Sequence, residues 1–164
     1  MSETRTIRIA DLTSYDFRRL VQEGPPVVLL PVGSIEQHGP HLPLSTDVIL
    51  PEEIAMRVAA RMGALVAPPV SYGYKSQPKT GGGNHFPGTL SLDASTLIAM
   101  LRDVMNELVR HGIRHIVVFD GHMENQWFIT EAIDLMLRDQ RREGIDTVRA
   151  IKLGYWEFIT PATE

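Results

Sequence analysis

Residues 33–47 read GSIEQHGPHLPLSTD and follow Val27–Val28–Leu29–Leu30–Pro31–Val32, an apolar, β-branched run of strand length. Glycines and prolines then force an irregular turn, and that turn carries Glu36, His38, His41 and Asp47. A buried strand that ends in a loop crowded with carboxylate and imidazole is how α/β proteins commonly build a site. Hard oxygen and borderline nitrogen donors together suit zinc or manganese. A lone histidine in such a loop is ordinarily just solvated. Four potential ligands after one buried strand point to a divalent metal.

Working outward, the same grammar repeats. Tyr15–Glu23 reads as a helix, with Thr13-Ser14 offering a cap and Gly24-Pro25-Pro26 stopping it. Val48–Met62 reads as a second helix, with Ile49, Ile54, Val58 and Met62 near a 3.6 period and Gly63 beyond its end. Ala64–Val70 is short and apolar and is expected to be a strand. Ser71–Gly88 is glycine-rich and long, which in a compact domain marks a functional loop. Asp93–His111 forms a third helix, its buried face marked by Leu97, Leu101, Val104 and Leu108. Ile116–Phe119 is the third strand, and the loop Asp120-Gly121-His122-Met123-Glu124-Asn125 follows it. A helix over Gln126–Arg142 and a strand over Val148–Leu153 complete the series. Residues 4–12 read as a short lead-in.

Strands alternating with helices predict a three-layer α/β/α sandwich with a mainly parallel sheet, in one domain spanning 1–164. Loops at the carboxyl ends of parallel strands share one edge. The loop of Glu36, His38 and Asp47 should therefore meet the loop of His122 and Glu124. Two imidazoles and three carboxylates exceed one tetrahedral zinc but suit two ions sharing a carboxylate and a water.

With 164 residues, 43% hydrophobic and 22% charged, the chain is long enough for one real core. A net charge of −4 without a basic stripe argues against nucleic acid as partner. No cysteine means no disulfide and no thiolate ligand. Neither a secretory signal nor a membrane span is legible, so a cytoplasmic protein is expected.

The motifs as they stand resemble a known family. GSIEQHGPHLPLSTD resembles the metal signature of the creatininase (creatinine amidohydrolase) family, and DGHMENQ resembles its second metal loop, usually written NGH-x-x-N. YGYKSQPKTGGGNHFPGT and GYWEF are similar to the creatininase branch itself, and the likeness runs from the first helix to Phe158. It implies that Glu36 and His122 hold one ion, that His38 and Glu124 hold the other, and that Asp47 bridges them. It implies zinc, with manganese or a second zinc in the other position. Thr80, Met123 and Trp156 fall where family members contact substrate, although the creatininase branch has an aromatic residue at the place of Met123. His41, His111 and His115 match no ligand position and are expected to be structural or exposed.

The resemblance further implies a homo-oligomer, a hexamer in the family, that opens a small cyclic amide such as creatinine by attack of metal-activated water. Other branches hydrolyse formamides or trim a peptide-derived cofactor precursor. The family pattern continues with a second tryptophan and an acid/base histidine in a Glu-His-Gly-Gly segment, and no such segment occurs in 1–164. The expectation is a chain truncated relative to the family, with the metal half of the site present. Glu124 is then the acid within reach, and an inactive metal-binding or assembly subunit is the rival reading.

Overall fold

The computed structural model describes residues 7–158. Four strands form one sheet in the order β2-β1-β3-β4, every neighbouring pair parallel. They are β1 (Val27–Val32), β2 (Leu65–Val66), β3 (His115–Asp120) and β4 (Arg149–Gly154). Four helices connect or flank them: α1 (Ser14–Glu23), α2 (Thr46–Met62), α3 (Ala94–Arg110) and α4 (Gln126–Arg142). The part of the expected lead-in before Ile7 lies outside the described residues.

Alternation along the strands divides the core in two. Val28, Leu30 and Val32 of β1 with Ile116 and Val118 of β3 pack on the face covered by α1, α3 and α4. Leu29 and Phe119 turn the other way, onto α2. Helices cover both faces, which is the three-layer sandwich expected from the alternation. β1 tolerates Pro31 although it lies between two strands. The Pro31 carbonyl accepts from Val70 on the β2 side, so the missing N–H also faces that side, where β2 has already ended.

Three expectations need correction. The second strand does not run from Ala64 to Val70. It stops at Val66 because Pro68 and Pro69 break it, and Val70 returns only as an isolated bridge to Val32. The second helix begins two residues before Val48, so Asp47 lies in its first turn. Its buried face is also different: Ile49 is 48% exposed and Met62 63%, while Val48, Pro51, Ala55 and Ala59 are buried and Ile54 and Val58 only flank them. Two alanines at the contact let the helix lie close on the sheet. Its phase is set by Asp47, which turns inward at the sheet edge.

α3 and α4 are joined by a polar clamp as well as by apolar packing. Arg102 donates to both oxygens of Asp139, at 2.5 and 2.8 Å, and Asn106 donates to the same carboxylate at 3.2 Å. The Arg102 hydrogen bond is the chief reason the Asp139 carboxyl is held below its ordinary value. A lowered carboxyl stabilises the fold above the unfolded value of 3.8, and that stabilisation is lost as pH falls through the folded value. Asp139→Asn is therefore expected to lower the melting temperature modestly at pH 7, with the gap to wild type closing as the pH drops below about 4. Melts across that range check it. A gap that stays constant with pH would contradict the ionic role.

Candidate metal centre

β1 and β3 are adjacent and in register, Val32 opposite Asp120. Their chains therefore leave the sheet side by side, and the Gly121 N–H still donates to the Val32 carbonyl at 2.8 Å. The loop after β1 brings Glu36 and His38, the first turn of α2 brings Asp47, and the turn after β3 brings His122 and Glu124. All five come from the carboxyl edge of a parallel sheet.

Glu36, His38 and Asp47 each offer a ligand atom within 4.8 Å of the others. Asp47 is 6% exposed and stands between two imidazoles. Its Oδ1 is 3.1 Å from His38 Nε2, and its Oδ2 is 3.0 Å from His122 Nδ1. His122 Nδ1 is also 3.2 Å from Glu36 Oε2. Glu124 stands outside the three-residue group and reaches it through His122, whose Nε2 is 3.5 Å from Glu124 Oε2. A negative, nitrogen–oxygen donor set without sulfur fits zinc or manganese.

The electrostatics point the same way. His122 is 3% exposed, and burial disfavours its charged form. Hydrogen bonds to Asp47 and Glu36 outweigh that and push the imidazole up to about 10. An ion held by this imidazole would have to compete with the proton that the two carboxylates favour. Burial works against ionisation of Glu36 too, yet hydrogen bonds from His122 and Ser76 hold its carboxyl below the ordinary range. Burial pushes the Asp120 carboxyl up to about 7, while its Oδ1 accepts from the His122 N–H at 3.1 Å and steadies the turn.

A cleft of about 290 Å³ opens over these residues, and Thr80, Met123 and Trp156 all line it. Tyr155 lines it as well and was not singled out by its sequence; its neighbour Trp156 was the only signal. Burial, and then the Asp47 charge, keep the Tyr155 phenol protonated to higher pH than usual. His41, His111 and His115 are exposed.

Two further residues were missed. Asn125 is fully buried; its Oδ1 accepts from the Tyr74 N–H at 2.8 Å, and its Nδ2 donates to the Gly33 carbonyl at 3.0 Å. One side chain thus ties together the loops after β1, β2 and β3. Ser76, also buried, donates to Glu36. The last residue of the NGH-x-x-N pattern that DGHMENQ resembles falls on the first; nothing local marked the second.

Known proteins resemble this chain in sequence and in fold. A sequence model of the family described as "Creatininase: Creatinine amidohydrolase" matches residues 10–161. The chain is 48% identical over 156 residues to a creatinine amidohydrolase of Pseudomonas putida, covering 95% of this chain and 60% of that protein. It is 38% identical over 125 residues to a mycofactocin precursor peptide peptidase of Mycolicibacterium smegmatis, covering 73% of this chain and 48% of that one. Solved creatininases superpose closely. A mutant of Zn–Zn type and a manganese form each give a TM-score of 0.93 at 48% identity, covering 96% of this chain and 62% of theirs. The chain thus spans about half to three-fifths of the length of these relatives. On the family match and on the shared fold, it belongs to the creatininase family.

Proposed function

We propose that this chain carries the dinuclear metal centre of an amidohydrolase whose substrate is a small cyclic amide, creatinine first among them. The observation that carries the reading is Asp47, whose two oxygens face two different imidazoles. Glu36 and His122 would hold one ion, His38 and Glu124 the other, and Asp47 would be shared. Zinc with manganese, or two zincs, suits these donors. Two such ions supply an acidified water and a Lewis acid for the amide carbonyl.

The remaining work falls to this chain's own side chains. Trp156, Met123 and Thr80 enclose a cleft of about 290 Å³, small enough to favour a compact substrate over a drug-sized one. The Tyr155 phenol stays protonated and can donate a hydrogen bond into that cleft. Glu124 is the carboxylate that could relay a proton to the leaving nitrogen, which requires its Oε2 to be free of an ion at that moment. Its Oε1 is already held by Gln77 N–H and the Thr80 hydroxyl. Copies of the chain are the proposed assembly partners.

Identity over nearly the whole chain favours creatinine. The likeness to a precursor-peptide peptidase supports a peptide substrate as the second reading. The test is metal-dependent hydrolysis of creatinine, with a formamide and a peptide in parallel. Creatinine is expected to be opened by the metal-loaded protein, and chelation is expected to abolish that turnover. Cleavage of the peptide or formamide without creatinine turnover would move the substrate. Bound ions with no turnover of any of the three would favour a metal-binding subunit.

A further inference from the structure

The turn at residues 76–80 touches both glutamates of the centre in the same way. Ser76 Oγ donates to Glu36 Oε1 and accepts from the Gly83 N–H at 2.8 Å. Because Gly83 fills a lone pair of that hydroxyl, its single proton is directed at Glu36. Gly82 closes over this pair: a Cβ there would collide with both Ser76 Oγ and Glu36 Oε1. Further along the turn, Glu124 Oε1 accepts from the Gln77 N–H at 3.3 Å and from the Thr80 hydroxyl, whose one proton is shared with the Gln77 carbonyl at 2.8 Å. The second oxygens are left for the centre. Glu36 Oε2 faces His122 Nδ1, and Glu124 Oε2 faces His122 Nε2.

We propose that this turn chooses which oxygen each glutamate offers. Ser76 holds back Oε1 of Glu36, and Gln77 with Thr80 holds back Oε1 of Glu124, so that each carboxylate binds its ion through Oε2 alone. Ser76 is thus a positioning residue. It acts through Glu36 and keeps a coordination position open for water. The inference rests on the metal reading above.

The physical consequence is specific. A carboxylate freed from such a donor can turn and bind through both oxygens, which raises the coordination number of the ion. Cobalt(II) reports this directly, since its visible absorption weakens as coordination rises from four toward six. The experiment loads wild type, Ser76→Ala and Thr80→Val with cobalt, records the visible spectrum, and measures affinity by chelator competition. Ser76→Ala is expected to weaken the absorption of one ion and to lower its affinity by about 10–100-fold, the usual cost of losing an outer partner of a ligand. Thr80 is exposed, so Thr80→Val tests the same claim without disturbing the core. It should perturb the other ion and do so less, because the Gln77 N–H remains. Ser76→Thr, which keeps the hydroxyl, should restore the wild-type spectrum.

If Ser76 only packs, Ser76→Ala will melt lower in chelator yet keep the wild-type spectrum and affinity, and the proposal is overturned. Unchanged cobalt binding in Thr80→Val would overturn it for Glu124. Failure of the wild-type protein to take up cobalt would overturn the metal reading itself, and this inference with it.

Discussion

Asp47→Ala is expected to leave the protein without either ion at wild-type occupancy. No other single change in the centre should do so. Oδ1 of Asp47 faces His38, and Oδ2 faces His122, so truncation removes a donor from both sides at once. Losing an outer partner of a metal ligand costs about 10–100-fold in affinity. Losing a shared ligand should exceed that for each ion. His38→Ala removes one donor from one side, so it should release one ion and largely spare the other. Asp47 also lies in the first turn of α2, where its charge favours the helix, so some loss of stability should accompany the loss of metal. Metal content per chain after gel filtration, for wild type and the two variants, decides the matter. If Asp47→Ala keeps both ions at wild-type occupancy, Asp47 is not the shared ligand. If His38→Ala empties the centre as completely as Asp47→Ala, the two-ion division of ligands is wrong.

The fold was legible where a strand is buried on both faces. β1 and β3 are such strands, and their near-continuous apolar runs stand out from any register. β2 was harder because Ala64–Val70 is apolar throughout, yet its two prolines leave only two residues of ladder. The phase of α2 was misread for a different reason. Hydrophobic periodicity favours the bulky residues Ile49 and Met62, but the helix is rotated by the demand that Asp47 point inward, and small residues then make the contact. The ligand loops were legible because parallel neighbours must bring their carboxyl ends together. Ser76, Asn125 and Asp120 were not, since each acts through a partner that only folding supplies. Ser76 lies 40 residues from Glu36, and Asn125 lies 92 from Gly33.

Gly33 belongs with these hidden residues, and Gly33→Ala is the second change expected to have a large effect. The sequence suggests that Gly33 makes a turn, but its φ is not positive, so no backbone strain calls for glycine. Space does. A Cβ at Gly33 would lie 2.7 Å from the Asp47 carbonyl carbon, 2.8 Å from Val48 Cα, and closer still to the Asp47 carbonyl oxygen. All three are backbone atoms in the first turn of α2, so no rotamer change relieves the clash. Gly121, at the end of the neighbouring strand, meets the same Asp47 carbonyl oxygen and Pro51 Cδ at 2.9 Å. The helix thus rests on two bare strand ends, and an added methyl must push it outward. Overpacking of this kind costs about 1–3 kcal/mol. For a chain of 164 residues that is a fall of roughly 2–12 °C in melting temperature. Because Asp47 rides on the displaced turn, metal affinity should fall with stability. The two quantities separate this variant from Asp47→Asn, which keeps the size of the side chain and should lose metal while disturbing the ion-free fold less. Melting in chelator and metal content, measured on both, provide the check. A Gly33→Ala protein with wild-type melting and full metal occupancy would mean that the helix yields freely at its first turn, and that the close seating of α2 on the sheet does not position Asp47.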